Sequence, residues 1–411
     1  MKIIAVHRYF WPDTPPYASL LRSIAGRWSA DGHRVTVLSS PPSYTSSQRV
    51  EDVPRSQELD GFTVTRVPAL KERGGGWRQL VNLVGFPVTI ASAVARRDAD
   101  VLMCSTVPQV TLGVAMAAVA RLRGMSFVYH CMDLQPEIGR LSGEFAHPVV
   151  YRTLLAADTW AMRQATRIIV LSEDMAAAVR QRDETLAERV VILNNFSLPG
   201  GDEPVGSPLP PPETGTLRVV FTGNVGRFQG LDAVVDAMAQ IPGETPVQLV
   251  FMGEGRAKSE LVARAEGLDL PAGVEIVFLP HGSPASAKAL MRSAHVGLVS
   301  LQPEVVRYAF PSKTATYAEQ GLPMLVVCEG DSELAGTVVT EGLGWHAAPG
   351  DAAAIASGLM EAARELRDGI WRERHERVRR YAVAEFDAAV VLGRWSRLLD
   401  QIAEERAAHQ S

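Results

Sequence analysis

Two short glycine-bounded segments in the second half of the chain have the residue types needed to hold an anion. The first, FTGNVGRFQGLD from Phe221 to Asp232, is a β-rich run that ends in a glycine-rich turn and then opens a helical pattern. Gly223 and Gly226 let the backbone approach a ligand, Asn224 and Gln229 add amide groups, and Arg227 offers a planar guanidinium fork suited to a diphosphate. An ordinary strand-to-helix turn with a solvated arginine has the same spacing, so spacing alone does not choose between the two. The second segment, RYAFPSKTATYAEQGLP from Arg307 to Pro323, reads as a loop, a helix capped by Ser312, a stop at Gly321 and a new strand. Lys313 and the amides around Ser312 are expected to meet the same diphosphate from the other side, with Thr316 and Glu319 following along the helix. The plain alternative is a capped surface helix in which Glu319 is a solvated carboxylate.

The first half carries HCMDLQPE from His130 to Glu137 directly after a buried strand. His130, Asp133 and Glu137 are thereby expected at the carboxyl end of that strand, Asp133 as a participant in the chemistry and His130 and Glu137 as contacts to a sugar or acceptor. Caps and satisfied hydrogen-bond partners are the competing reading for each. Tyr9 to Ser19 is a proline- and aromatic-rich loop in which Tyr17 can stack on a substrate or pack inward. The turn Gly253-Glu254-Gly255-Arg256 carries little weight by itself. No GxxxxGKS, HExxH or GxSxG motif and no metal-ligand cluster is present, which removes P-loop, zinc-hydrolase and serine-hydrolase chemistry.

These residues must be positioned by alternating strands and helices. Short apolar runs such as Lys2–Val6, Arg34–Ser39 and Val101–Cys104 alternate with helical patterns such as Ser19–Asp31 and Thr111–Arg123, the signature of a doubly wound parallel sheet. A proline- and glycine-rich stretch over 200–216 interrupts the alternation, which then restarts. The expected division is 1–199, joined by a C-terminal helix over 383–411, then a linker over 200–216, then 217–382. The fold class is α/β, two Rossmann-like domains facing a cleft. With 41 basic and 46 acidic residues the net charge of −5 gives no general attraction to nucleic acid. Cys104, Cys131 and Cys328 lack metal or disulfide spacing, which suits a reducing cytoplasm. The opening residues read as a strand, and no uncharged apolar run reaches the roughly 18 residues needed to span a bilayer. Lys71 to Val81 sets Lys71, Arg73 and Arg78 with Trp77 before an apolar segment, a pattern suited to contact with anionic lipid or to a helix at the core's edge.

Taken together, Tyr9–Ser19 with Gly32-His33-Arg34-Val35-Thr36-Val37, the Asp133-Leu134-Gln135-Pro136-Glu137 run, Gly223–Leu231, and Pro311-Ser312-Lys313 with Gly321 and Pro323 make the chain resemble the retaining family-four glycosyltransferases of the GT-B class. The resemblance covers nearly the whole length and is strongest to the WbuB-like branch of surface-polysaccharide enzymes. It implies transfer of a sugar from a nucleotide-diphosphate donor to a glycan or lipid-linked acceptor with retention of configuration and without a cofactor or metal. The second domain would hold the nucleotide sugar, with Arg227 and Lys313 on the diphosphate. The setting it implies is polysaccharide biosynthesis in the cytoplasm, at the inner face of the membrane. One departure stands out: where the family has a glutamate that grips the ribose this chain has Thr316, and the glutamate eight residues earlier is Tyr308. Glu319, on an adjacent helical face, is the expected substitute. Two other readings remain open at this point, a non-catalytic scaffold of the same fold and a nucleotide-sugar epimerase using His130, Asp133 and Glu137 as acid and base.

Overall fold

A computed structural model describes residues 1–13, 15–42, 53–69, 76–198, 200–201 and 203–410. The chain divides into two compact units, one formed by Met1–Leu198, Tyr308–Phe310 and Ala388–Ser411, the other by Pro199–Arg307 and Pro311–Asp387.

In unit 1 the elements follow as β1 (Lys2–Val6), α1 (Pro16–Ala30), β2 (Arg34–Ser39), β3 (Ser56–Leu59), β4 (Phe62–Arg66), α2 (Gly76–Ala95), β5 (Val101–Ser105), α3 (Thr111–Arg123), β6 (Ser126–His130), α4 (Gln135–Leu141), α5 (Pro148–Gln164), β7 (Arg167–Val170), α6 (Glu173–Arg182) and β8 (Val190–Ile192). They build an eight-stranded sheet in the order β3-β4-β2-β1-β5-β6-β7-β8. All pairings are parallel except the β3–β4 hairpin, which turns on Asp60 and Gly61, both with positive φ. Every residue of β5 is buried, as a strand covered on both faces requires. The strand order reverses between β1 and β5, so the crevice available to a ligand opens at the carboxyl ends of those strands.

Unit 2 continues with β9 (Leu217–Thr222), α7 (Leu231–Met238), β10 (Val247–Met252), α8 (Lys258–Glu266), β11 (Val274–Leu279), α9 (Pro284–Arg292), β12 (Val296–Ser300), α10 (Lys313–Glu319), β13 (Met324–Val327), α11 (Glu333–Thr340), β14 (Gly344–Ala347), α12 (Ala352–Asp368) and α13 (Trp371–Glu385). Its sheet is six-stranded and parallel in the order β11-β10-β9-β12-β13-β14, and the order reverses between β9 and β12. Side-chain caps by Ser283, Ser332 and Asp351 start α9, α11 and α12, and Gly369 in the left-handed region stops α12.

Two boundaries differ from the sequence expectation. The proline-rich stretch over 200–216 groups with unit 2, because Arg218, wholly buried in β9, donates a 2.6 Å hydrogen bond to the Pro210 carbonyl and bonds Gln248 and Ser293. The C-terminal helix is also two helices: α13 ends at Glu385, and α14 (Ala388–Gln410) starts after Phe386 and Asp387 and belongs to unit 1. α14 inserts Val391, Trp395, Leu398, Leu399 and Ile402 among the buried residues of α1 and the β1–β2 face, with Trp395 edge-on to Trp28 at 5.8 Å. α2, α3, α5 and α6 cover the opposite face of the sheet. Lys71 and Arg73, part of the suggested lipid contact, lie outside the described residues, and for Trp77 and Arg78 only the helical backbone of α2 is described. Among the described residues no helix is long and apolar enough to cross a membrane.

Trp395 is 1% exposed. Trp395→Ala should therefore lower the unfolding free energy by about 3–5 kcal/mol in denaturant titration, while a loss under about 1 kcal/mol would mean that α14 is not part of the core.

Candidate functional site

In unit 2 the reversal point of the sheet is occupied by the turn from Gly223 to Gly230. β9 ends at Thr222, Gly223 takes φ +108°, residues Arg227–Gln229 form one turn of 3-10 helix, and Gly230 at φ +55° leads into α7. The turn is bonded on both sides. The Gly223 amide donates to the Met252 carbonyl and the Val225 amide to that of Glu254, both at 2.9 Å, and Ala257 N–H returns to Val225 O at 3.1 Å. From the β12 side, Gln302 N–H donates to Phe228 O at 2.7 Å and the Ser300 hydroxyl to Gln229 O at 2.5 Å.

The first of these supports is main chain packed on main chain. A Cβ on Gly253 would fall 1.8 Å from Gly223 O, and one on Gly255 would fall 2.0 Å from Val225 O. The turn over Gly253–Arg256, given little weight from sequence, is thus what holds the anion-type turn in shape.

Lys313 lies under the start of this turn. Its Nζ sits 4.4 Å from the centroid of the Phe221 ring and 3.7 Å from where a Cβ on Gly223 would stand. Burial pulls its amine down to about 8. α10, which carries Lys313, is fastened by Tyr317. β12 pairs with β9 only at Val219 and Val220, and the Tyr317 hydroxyl fills the space beyond, accepting from Thr222 N–H at 3.1 Å and donating to Val220 O at 3.3 Å. Gly297 leaves room for that ring, since a Cβ there would come within 2.6 Å of it. Neither Phe221 nor Tyr317 was picked out as functional from sequence, because each looks like a core aromatic until its neighbours are known.

Ser312 departs from expectation: it is exposed, lies itself in the helical region and accepts no cap hydrogen bond, so the first turn closes instead through Thr314 N–H to Pro311 O at 3.0 Å. α10 buries Thr314, Ala315, Tyr317 and Ala318, which leaves Lys313, Thr316 and Glu319 along its more open side. Glu319 is engaged by the buried Lys288 of α9 at 3.3 Å, so the expected substitute for a ribose-gripping glutamate already has a cationic partner. Arg227 is at the other end of the turn, largely exposed, with a guanidinium nitrogen 3.7 Å from Glu260. Together with Gly226, Gly230, Arg264 and Gln302 these two border a pocket of about 320 Å³. Asn224 and Gln229 flank Gly226, their amide groups each 2.9 Å from where its Cβ would stand.

Unit 1 gathers a second polar group at the carboxyl ends of β1, β5 and β6. His130, the last residue of β6, is fully buried, its Nδ1 2.9 Å from the Tyr17 hydroxyl and its ring 5.0 Å from that of Trp395. The Tyr17 ring also lies 4.3 Å from that of His7, which bonds Ser105. Burial pulls His130 down to about 3, and burial together with His130 does the same to His7, so both imidazoles are neutral. The expectation that His130 and Tyr17 reach out to a substrate is corrected: they bond each other inside the unit.

Glu137 is corrected likewise. The Arg182 fork binds both of its carboxylate oxygens, Nε at 2.7 Å, and bonds Asp158 at 2.7 Å, with all three side chains buried. Tyr129 OH completes the network by donating to Asp158 at 2.8 Å. Asp133 differs from both. Among the described residues it pairs with no cation, its nearest polar side-chain contact is Gln135 Nε2 at 3.4 Å, and burial raises its carboxyl to about 6. Its loop is anchored by Leu134 N–H donating to Tyr308 O at 2.8 Å.

Known proteins resemble this arrangement at several levels. Residues 17–195 match a glycosyl transferase 4-like domain. An Escherichia coli (strain K12) protein that carries the name colanic acid biosynthesis glycosyl transferase WcaI is 23% identical over 382 residues, 88% of this chain and 92% of that protein. Pseudomonas aeruginosa WbjE, also named a glycosyltransferase, is 26% identical over 70% of this chain and 71% of its own. Among solved structures, sucrose-phosphate synthase from Thermosynechococcus elongatus superposes with a TM-score of 0.71 at 18% identity, covering 98% of this chain and 99% of that one. The Anabaena protein HepE in complex with UDP-glucose gives 0.67 at 17% identity, covering 98% and 100%. The fold is that of the GT-B glycosyltransferases, and the chain is an enzyme of the glycosyltransferase type, similar over residues 17–195 to a glycosyl transferase 4-like domain.

Because the Gly255 position has no room for a Cβ, Gly255→Ala should displace the Gly223–Gly230 turn. The expected result is a destabilisation of roughly 1–3 kcal/mol in denaturant unfolding together with loss of ligand binding at the turn, and a variant unchanged in both would refute the packing argument.

Proposed function

We propose that the enzyme moves a sugar from a nucleoside-diphosphate donor, held by unit 2 at the Gly223–Gly230 turn and the open side of α10, to a hydroxyl of a glycan or lipid-linked acceptor offered to unit 1. The observation that carries this reading is Lys313, an ammonium seated between an aromatic ring and a bare glycine backbone, where an anion can reach it. The bond between the anomeric carbon and the diphosphate oxygen breaks, the acceptor oxygen bonds to that carbon, and charge builds on the departing diphosphate. Lys313 and the exposed Arg227 neutralise that charge, which is the main catalytic contribution, and no metal or other cofactor is required. Asp133, its carboxyl near 6, is suited to accept a hydrogen bond or proton from a sugar or acceptor hydroxyl.

Retention of configuration and the WbuB-like branch rest on the motifs quoted above and on the family-four-like domain. WcaI is named for colanic acid biosynthesis and HepE was solved with UDP-glucose, which supports a nucleotide sugar and a surface polysaccharide as this enzyme's substrate classes. Peripheral contact with the inner face of the cell membrane is supported by Val84 and Val88 on α2, each 60% exposed. An epimerase would need a working acid–base pair, and the two best partners for Asp133 are withdrawn: His130 is buried and neutral, and Glu137 is tied to Arg182.

Lys313→Ala and Arg227→Ala should each remove about 2–4 kcal/mol of transition-state stabilisation, seen as a fall in kcat/KM for the donor, and a loss below about tenfold would count against the assigned role. The pH dependence has a definite sign. Burial holds the amine of free Lys313 down to about 8, and a bound diphosphate favours its charged form. Donor affinity should therefore be complete below that pH and fall as pH rises through it, and the dependence should vanish in Lys313→Ala, as measured by calorimetric titration across pH 6 to about 10.

A further inference from the structure

Three helices of unit 1 lie side by side over one face of its sheet. α3 packs between α2 and α5, tied to the first by the Thr111 hydroxyl donating to Leu83 O at 2.6 Å and to the second by Arg121 donating to Gln164 Oε1 at 3.0 Å. Their composition is unusual for this chain, which has 46 acidic residues among 411. The three, of 20, 13 and 17 residues, hold one carboxylate between them, Asp158, and it is buried in the Arg182 network.

On α2, Val84, Val88 and Ser92 are exposed at four-residue spacing, one stripe of a helix whose other side is in the core. α3 turns Val114, Ala115 and Ala118 partly outward and ends the stripe with Leu122, 83% exposed. α5 opens with Val149 and Val150, 65% and 46% exposed, and continues with exposed Thr153 and Ala156. Lone apolar side chains on a surface are ordinary, but five large ones on three adjoining helices, with no acid among them, make a patch. Exposed arginines fringe it: Arg96 just past α2, Arg121 and Arg123 on α3, and Arg152 on α5. The helix dipole favours a cationic last turn, which accounts for Arg121 and Arg123 but not for Arg152 or for the Leu122 between them.

We propose that this three-helix face is the surface of the peripheral contact on which this inference rests, and that its partner is an anionic bilayer. The valines and Leu122 enter the boundary of headgroups and acyl chains, and the arginines meet lipid phosphates. A face of one sign suits a uniformly negative sheet, whereas a second copy docking face to face would bring two sets of arginines together. The chain as a whole carries −5, so a negative membrane repels its other sides and selects this one. The helices start at the carboxyl-end edge of the sheet, as strand-to-helix crossovers do, so Val149 and Val150 lie toward the same edge as the β1–β5 crevice. With this face on the bilayer, a lipid-linked acceptor meets the crevice without leaving the membrane.

The test is sedimentation of full-length enzyme with vesicles of phosphatidylcholine alone or of phosphatidylcholine and phosphatidylglycerol in equal parts. Wild type is expected to bind the mixed vesicles, to bind the neutral ones about tenfold or more weakly, and to be released by salt. Leu122→Asp and Val149→Asp, at opposite ends of the face, should each weaken binding to mixed vesicles by about tenfold or more. Val383→Asp on α13, which changes a side chain 67% exposed, should leave binding as it is. All three replace exposed residues, so thermal unfolding should stay near that of wild type. Equal binding to both vesicles, Leu122→Asp and Val149→Asp variants that bind like wild type, or a like loss in Val383→Asp overturns the inference and leaves the peripheral contact standing. Self-association that Leu122→Asp and Val149→Asp abolish makes the occupant a second copy and overturns it too. Binding to neither vesicle overturns this inference and the peripheral contact together, while sugar transfer keeps its own test in Lys313→Ala.

Discussion

Two stretches of main chain can approach to van der Waals distance only where neither carries a side chain between them. The contact of Gly253 and Gly255 with Gly223 and Val225 is of this kind, and the geometry of unit 2's site depends on it. It joins the loops after β9 and β10 into one double layer, so the turn that starts at Gly223 cannot open away from the sheet. On that platform, Phe221 forms a floor for Lys313, and Tyr317 ties α10 to the strand whose last amide it satisfies. The amides of Thr222, Gly223 and Val225 are each bonded, so these donors stay satisfied as the turn is held in place. The Lys313 ammonium, partly stripped of water, sits among neighbours that are themselves bonded to the sheet.

Unit 1 uses its polar residues in the opposite way. At its own strand ends, His130, Tyr17, His7 and Ser105 bond one another in a layer closed over by Trp395, and Arg182 gathers Glu137 and Asp158 behind α4. Such networks specify one arrangement of the elements they link, since any slip leaves a buried charge without a partner. Asp133 stands between the two, on a loop held by Arg182's grip on α4 on one side and by the Leu134–Tyr308 hydrogen bond on the other. It keeps its carboxyl uncommitted because its neighbours are committed.

The alternation of strand and helix was legible in the order of residues, because strands buried on both faces leave unbroken apolar runs and helices end on glycines such as Gly32 and Gly124. The Gly223–Leu231 turn was legible for the same reason, with glycine, strand and helix all local. Partners distant along the chain were not. Arg182 lies 45 residues from Glu137, and without it a glutamate after a strand end looks like a ligand group. Likewise, the backbone that crowds Gly255 belongs to the preceding loop, so its four-residue turn resembles any other. The Asp60-Gly61 pair between alternating residues is a hairpin signal in the sequence, and it makes the one antiparallel pairing in a sheet otherwise parallel among the described residues. The departure at Thr316 was visible in the sequence, but that Glu319 already holds Lys288 was not.

The return of α14 to unit 1 has a consequence for biosynthesis. A ribosome releases the residues of unit 2, which ends at Asp387, before it releases Trp395, Leu398 and Ile402, on which one face of unit 1's sheet depends. Until those residues emerge, Trp28, Ile24 and Leu21 of α1 lack their cover, so unit 1 begins first and finishes last. A nascent chain stalled before α14 emerges therefore carries an apolar strip on α1, a surface that chaperones recognise and that α14 covers once it has been made.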